Sequence, residues 1–166
     1  MTKYLFLINI IITGDNMKDK YINFLKKYNL YREDIFEYMK DRTKYIDYRQ
    51  DGSDGYIGVY PNLVNGIIKD IKMRVPRLID DHSIAITIHE YIHLLKMFDY
   101  IGKEYVFSDY EDLLPTFYEL VFAKENNDID YINERLEFIK EYNYLNVLVD
   151  MFNPKEKQKI LKKQDN

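Results

Sequence analysis

The sequence predicts an α+β fold, mostly α: a small β-sheet beside a long apolar helix that carries two histidines, with an antiparallel helix that carries a glutamate. Three observations predict it. Apolar residues recur at helical spacing before residue 40, short alternating runs bounded by Gly and Pro fill residues 56–76, and capped helical patterns resume after Asp80. The chain has 166 residues, 46% hydrophobic and 31% charged, which suits one domain with its own core.

In chain order, Tyr4 to Ile12 reads YLFLINIII and is expected to be a buried strand or a helix start. It is short for the apolar part of a secretory signal, carries Asn9 and lacks a clear small-residue cleavage site. After Gly14-Asp-Asn16, Tyr21, Ile22, Leu25 and Tyr28 mark one amphipathic helix, and Tyr31, Ile35, Tyr38 and Met39 a second. Asp51-Gly-Ser-Asp-Gly55 reads as a turn, since its acids lack the ligand spacing of an EF-hand. Ile57-Gly-Val-Tyr-Pro61 reads as a strand stopped by proline. Ile71, Met73 and Val75 alternate with Lys72 and Arg74, as in a half-exposed strand ended by Pro76. Asp80-Asp81 caps a helix expected from about Ser83 to about Ile101, with Gly102 as its stop. Proline is tolerated in a first turn and not in a helix interior, so Pro115 places the next helix start near Asp112, a good N-cap. Ile129, Ile132, Leu136 and Ile139 form a stripe behind the cap candidate Asp128; Leu145, Leu148 and Met151 suggest a short helix, and Pro154 opens a charged tail.

Composition narrows the chemistry. There is no cysteine, which removes disulfide scaffolds, thiol catalysis and every Cys-based zinc site. A net charge of −4 with dispersed Lys and Arg argues against nucleic acid as a partner. No stretch approaches the roughly 18 apolar residues of a membrane span, so no membrane partner is expected and a cytoplasmic location is expected over a secreted one.

His89-Glu90-Tyr91-Ile92-His93 is an HExxH sequence. On a helix, residues four apart lie about 400° round and about 6 Å along the axis, so both imidazoles face one way and can reach a single Zn²⁺. Glu90 sits at the edge of that face, where it can take a proton from water as a general base. With three His and eleven Glu in 166 positions, chance placement gives roughly 0.004 such sequences. Residues 84–95 read IAITIHEYIHLL, with Glu90 the only charged side chain, and an acid in so apolar a helix is costly unless something uses it.

A third ligand has to be a carboxylate. There is no Cys, and His82 lies seven residues before His89, about 10.5 Å further along a continuous helix. Asp99 follows His93 by six residues, the metzincin spacing, but Lys96 stands where that arrangement needs a turning Gly. The stronger candidate is on the next helix. If the connection is centred near residue 106, equal rise brings residue 119 level with His93, and residue 119 is Glu. Glu111 and Asp112 become level instead if the centre lies nearer 102.

His89, Glu90 and His93 followed by an acid on the next helix resemble the gluzincin zinc metallopeptidases, and the chain's size resembles the minigluzincins. The stretch Asp112-Leu-Leu-Pro-Thr-Phe-Tyr-Glu119 is similar to the third-ligand helix of the oligoendopeptidase F group, which has two acids seven apart. In that group the first acid is the ligand and is a Glu, whereas this chain has Asp112 at that position, so the helix register and Glu119 carry the expectation, with Glu111 and Asp112 as weaker candidates. The resemblance implies one zincin-like metallopeptidase domain over residues 1–166, with an HExxH active-site helix, Zn²⁺ as cofactor and a peptide or protein as substrate. It also implies an extended peptide held against an exposed strand edge, supplied by Ile57–Tyr60 or Ile71–Val75. An oxyanion partner would have to be Tyr, Arg or Lys, and Tyr118 lies near the expected ligand. The competing expectations are a metal-binding module without peptidase activity and a helical interaction domain without metal.

Overall fold

The computed structural model describes residues 16–47 and 56–152. The expectations for Tyr4–Ile12, Asp51–Gly55 and the tail after Pro154 lie outside the described residues. The fold is α+β, mostly α. Helix α1 covers residues 16–27 and buries Tyr21, Phe24 and Leu25; α2 (Glu33–Met39) buries Ile35 and Met39. Strands β1 (Thr43–Ile46), β2 (Gly58–Val64) and β3 (Ile67–Pro76) form a sheet of order β1-β3-β2, with β1 parallel and β2 antiparallel to β3. Then follow α3 (Asp81–Phe98), α4 (Leu113–Glu125), α5 (Ile129–Ile139), a 3₁₀ turn (Asn143–Leu145) and α6 (Asn146–Phe152). One buried apolar cluster joins α1 through α6 with β3. Among the described residues, no helix is long and apolar enough to cross a membrane.

Several local features differ from the sequence reading. Strand β2 does not stop at Pro61 but runs on to Val64. It then returns through Asn65 and Gly66, which adopt φ of 53° and 78° as a tight two-residue hairpin turn requires. Pro61 is tolerated because its ring nitrogen owes β3 nothing. Opposite it, the Ile71 N–H donates to the Tyr38 hydroxyl (3.2 Å), and two residues on the Met73 N–H donates to Arg42 O (3.0 Å), both away from β2. In an antiparallel ladder a residue's N–H and C=O point the same way, so Val59 and Pro61 also turn their backbone groups outward. Among the described residues β2 is an edge strand, and Val59 turns its N–H and C=O outward there.

Helix α3 starts as expected, with Asp80 accepting from Ser83 N at 2.9 Å in a capping box. It ends at Phe98, three residues earlier than expected, because the chain turns to meet β3. Gly102 N donates to Ile68 O (2.8 Å) and Ile68 N to Lys103 O (3.1 Å), with Gly102 at φ 81°. Helix α4 begins behind Asp112 with Pro115 in its first turn, and α5 behind Asp128, whose side chain accepts from Tyr131 N. In α6, Phe152 rather than Met151 completes the buried stripe.

Candidate metal centre

Helix α3 lies between the sheet and α4, and most of its surface is buried apolar side chain, including Ile84, Ile88, Ile92 and Leu94. The four-residue spacing brings His89 Nε2 within 3.2 Å of His93 Nε2. On α4, the Asp112 carboxylate reaches both: Oδ1 lies 3.0 Å from His93 Nε2 and 3.7 Å from His89 Nε2. These three atoms form the group among the described residues that could hold a metal ion. A tetrahedral ion with ligands at 2.0–2.1 Å has ligand–ligand edges of about 3.3 Å, and the observed spacings straddle that value.

Glu119 reaches the histidines from the other side. Its Oε2 accepts from His89 Nδ1 at 2.9 Å, which leaves His89 Nε2 pointed at His93 and Asp112. Glu119 also accepts from Arg135 Nε (3.1 Å) and from the Tyr131 hydroxyl, and its side chain is 3% exposed against 48% for Asp112. Glu119 thus stands outside the grouped atoms and, by accepting from His89 Nδ1, orients that imidazole. The helix pair is antiparallel as expected, but its register centre lies earlier. The midpoint of His93 and Asp112 falls between 102 and 103, and that of His89 and Glu119 at 104, against the expected 106.

The other candidates are engaged elsewhere. Asp99 takes both oxygens to the Arg32 guanidinium at 2.8 and 2.9 Å. Glu111 accepts from Lys96 Nζ (2.6 Å), Ser108 N (2.9 Å) and the Tyr105 hydroxyl (3.1 Å), a clamp that fixes the chain entering Asp112. His82 pairs with Asp128 at 2.9 Å and packs on Tyr131. Tyr118 packs against Tyr28 and Phe117 and lines neither cavity at the site.

The electrostatics follow from burial and pairing. Burial works to lower the His89 pKa, but Glu119, hydrogen bonding to Asp112 and the Glu90 charge outweigh it and raise the value to about 9. The hydrogen bonds to His89 and His93 hold Asp112 far below the usual carboxylate range. Burial pushes Glu119 up, and His89, Arg135 and Tyr131 together bring it below its ordinary value. Glu90 goes the other way: burial raises its pKa, and the two histidines offset only part of the rise. A carboxylate that is poised to hold a proton is the property a general base needs.

Two cavities flank the cluster. One, of about 360 Å³, is lined by Ile57, Ile86, His89, Glu90, Tyr131 and Arg135, among others. The second, of about 280 Å³, is lined by Ile57, Gly58, Val59, Glu90, His93 and Phe107, among others. Of the two strands considered as a binding edge, β3 is paired on both sides, whereas β2 borders the smaller cavity through Gly58 and Val59, and Ile57, just before it, borders both. Sequence reasoning missed Tyr131 and Arg135. They stand four apart on α5, one helical turn, which puts both on the side facing Glu119. No family model matches the chain, and comparisons with curated proteins and with solved structures find no match either.

Proposed function

We propose that the chain is a zinc-dependent peptidase in which His89, His93 and Asp112 hold the metal and Glu90 is the general base. The observation that carries this reading is the spacing of the three ligand atoms, at 3.0, 3.2 and 3.7 Å, close to the edges of one coordination tetrahedron. Two imidazoles and one carboxylate suit zinc better than the all-oxygen sets of calcium and magnesium. Bound there, zinc would supply Lewis acidity toward a carbonyl oxygen and toward water. Three protein ligands with cavities on both flanks fit a catalytic site better than a closed structural one.

The chain's own residues have separate tasks. Glu119 holds His89 by its Nδ1 proton and leaves Nε2 as the ligand atom. Glu90, half-buried and bordering both cavities, takes a proton from water at its carboxylate and passes it to the departing amine nitrogen. The outward N–H and C=O of Val59 would pair with an extended peptide laid along β2. The arrangement resembles the gluzincins with an Asp where they have the ligand Glu. Its shorter side chain fits the α4 start, which brings Asp112 itself level with His93.

Elemental analysis of untagged protein after zinc addition and dialysis tests the metal assignment. About one zinc per chain is expected, lost in His89→Ala and His93→Ala. Sub-stoichiometric zinc that is unchanged in His89→Ala would overturn it.

A further inference from the structure

The 360 Å³ cavity beside His89 and Glu90 has one unused set of side-chain donors. The His89 Nδ1–H and the Tyr131 hydroxyl are spent on Glu119; Ile57, Ile86 and Phe138 have none; Glu90, Glu119 and Glu134 are acceptors. Among the described residues, Arg135 is the only Lys or Arg that lines either cavity at the site. Its Nε donates to Glu119 at 3.1 Å, its guanidinium lies 5.1 Å from the Phe138 ring centre, and no partner for its two Nη groups is found among the described residues. The guanidinium is thus fixed at one end and free at the other. Glu119, the acid it touches, is already matched by three donors, and Glu134 is exposed.

The polarity of β2 says which part of a substrate meets it. Ile57 borders both cavities, whereas Gly58 and Val59 border only the smaller one. A peptide pairing antiparallel with β2 runs opposite to it, the more stable ladder. Its C-terminal part then lies toward residue 57 and the Arg135 cavity. We infer that Arg135 is a specificity residue that recognises a carboxylate on the residue following the scissile bond, either the side chain of Asp or Glu or the free C-terminus. The planar fork of a guanidinium matches a carboxylate in two parallel hydrogen bonds, and partial burial strengthens both. This inference rests on the peptidase reading above.

The test uses zinc-loaded full-length protein and three malonohydroxamate probes, which anchor on the metal and carry alanine acid, alanine amide or glutamate α-amide. Binding is measured by calorimetry. The alanine acid, the glutamate amide or both should bind at least tenfold more tightly than the alanine amide, and the preference should vanish in Arg135→Gln. A preference for the alanine acid identifies the free C-terminus as the source, and one for the glutamate amide identifies an acidic side chain. Binding of all three within twofold in wild type overturns the inference while leaving the metal reading intact, and needs no variant to fold. A preference undiminished in Arg135→Gln also overturns it. If no probe shows zinc-dependent binding, the metal reading fails and this inference with it.

Discussion

Asp112 and Glu119 are both acids on α4 near the histidines, yet their exchange for neutral residues should have opposite signatures. Structural zinc sites with four protein ligands bind with about 10–16 kcal/mol, about 2.5–4 kcal/mol per ligand, so by the same measure Asp112→Ala should weaken zinc affinity about 10²–10³-fold. Its effect on the metal-free fold should be smaller than that of Glu119→Gln, because the side chain is 48% exposed, so solvent screens its contacts with the two histidines, and it makes no capping hydrogen bond. Glu119→Gln leaves the ligand atoms in place and loosens His89, a loss of about 10–100-fold in affinity. It also removes a charge from a buried network with His89 and Arg135, which typically costs about 3 kcal/mol. In a chain of this size that lowers the metal-free melting temperature by about 6–12 °C. Chelator competition gives the affinities, and circular dichroism of the metal-free variants gives the melting temperatures. Near-wild-type zinc affinity in Asp112→Ala, with a 10²–10³-fold loss and unchanged melting in Glu119→Gln, would refute the assignment of the two acids.

The metal-free protein should also respond to pH through His89. Its folded pKa of about 9 lies above an unfolded value of about 6.5, so its contribution is complete below about pH 6.5 and lost as pH rises through 9. The loss is as much as about 3 kcal/mol by pH 10, and denaturant titrations that stay flat over that range would contradict the imidazolium–Glu119 pair. Asp112 and Glu119, both depressed, stabilise above their unfolded values and lose that effect as pH falls through their folded ones. At the strand edge, Val59→Pro removes an outward N–H without touching the β2–β3 ladder, and kcat/KM for peptides should fall about tenfold as one backbone hydrogen bond is lost. Equal kcat/KM in that variant would argue against pairing along β2.

The histidine helix was legible because its period, its Asp80 cap and its exclusion of charge all agree. The α4 start was legible because Pro115 is confined to a first turn. Which acid of α4 stands level with His93 was not, because the register depends on where α3 ends. That end is set by a long-range event, the pairing of residues 101–104 with Ile67 and Ile68, which no local pattern encodes. Asn65-Gly66 is a strong hairpin signal that could have been read, and it would have carried β2 past Pro61. Tyr131 and Arg135 were hidden differently: their roles exist only once α5 packs beside α4 and meets the buried Glu119.

Peptide-bond hydrolysis is the central claim, and isotope incorporation tests it most directly. Zinc-loaded protein is incubated with a diverse peptide mixture in water enriched in ¹⁸O, and new C-termini are read by mass spectrometry. Wild type should generate ¹⁸O-bearing C-termini that need zinc and fall about 10²–10⁴-fold in Glu90→Gln, which keeps the metal but has no carboxylate to take the proton. Labelled termini that form equally in Glu90→Gln, or a zinc-replete wild type that forms none, would contradict it.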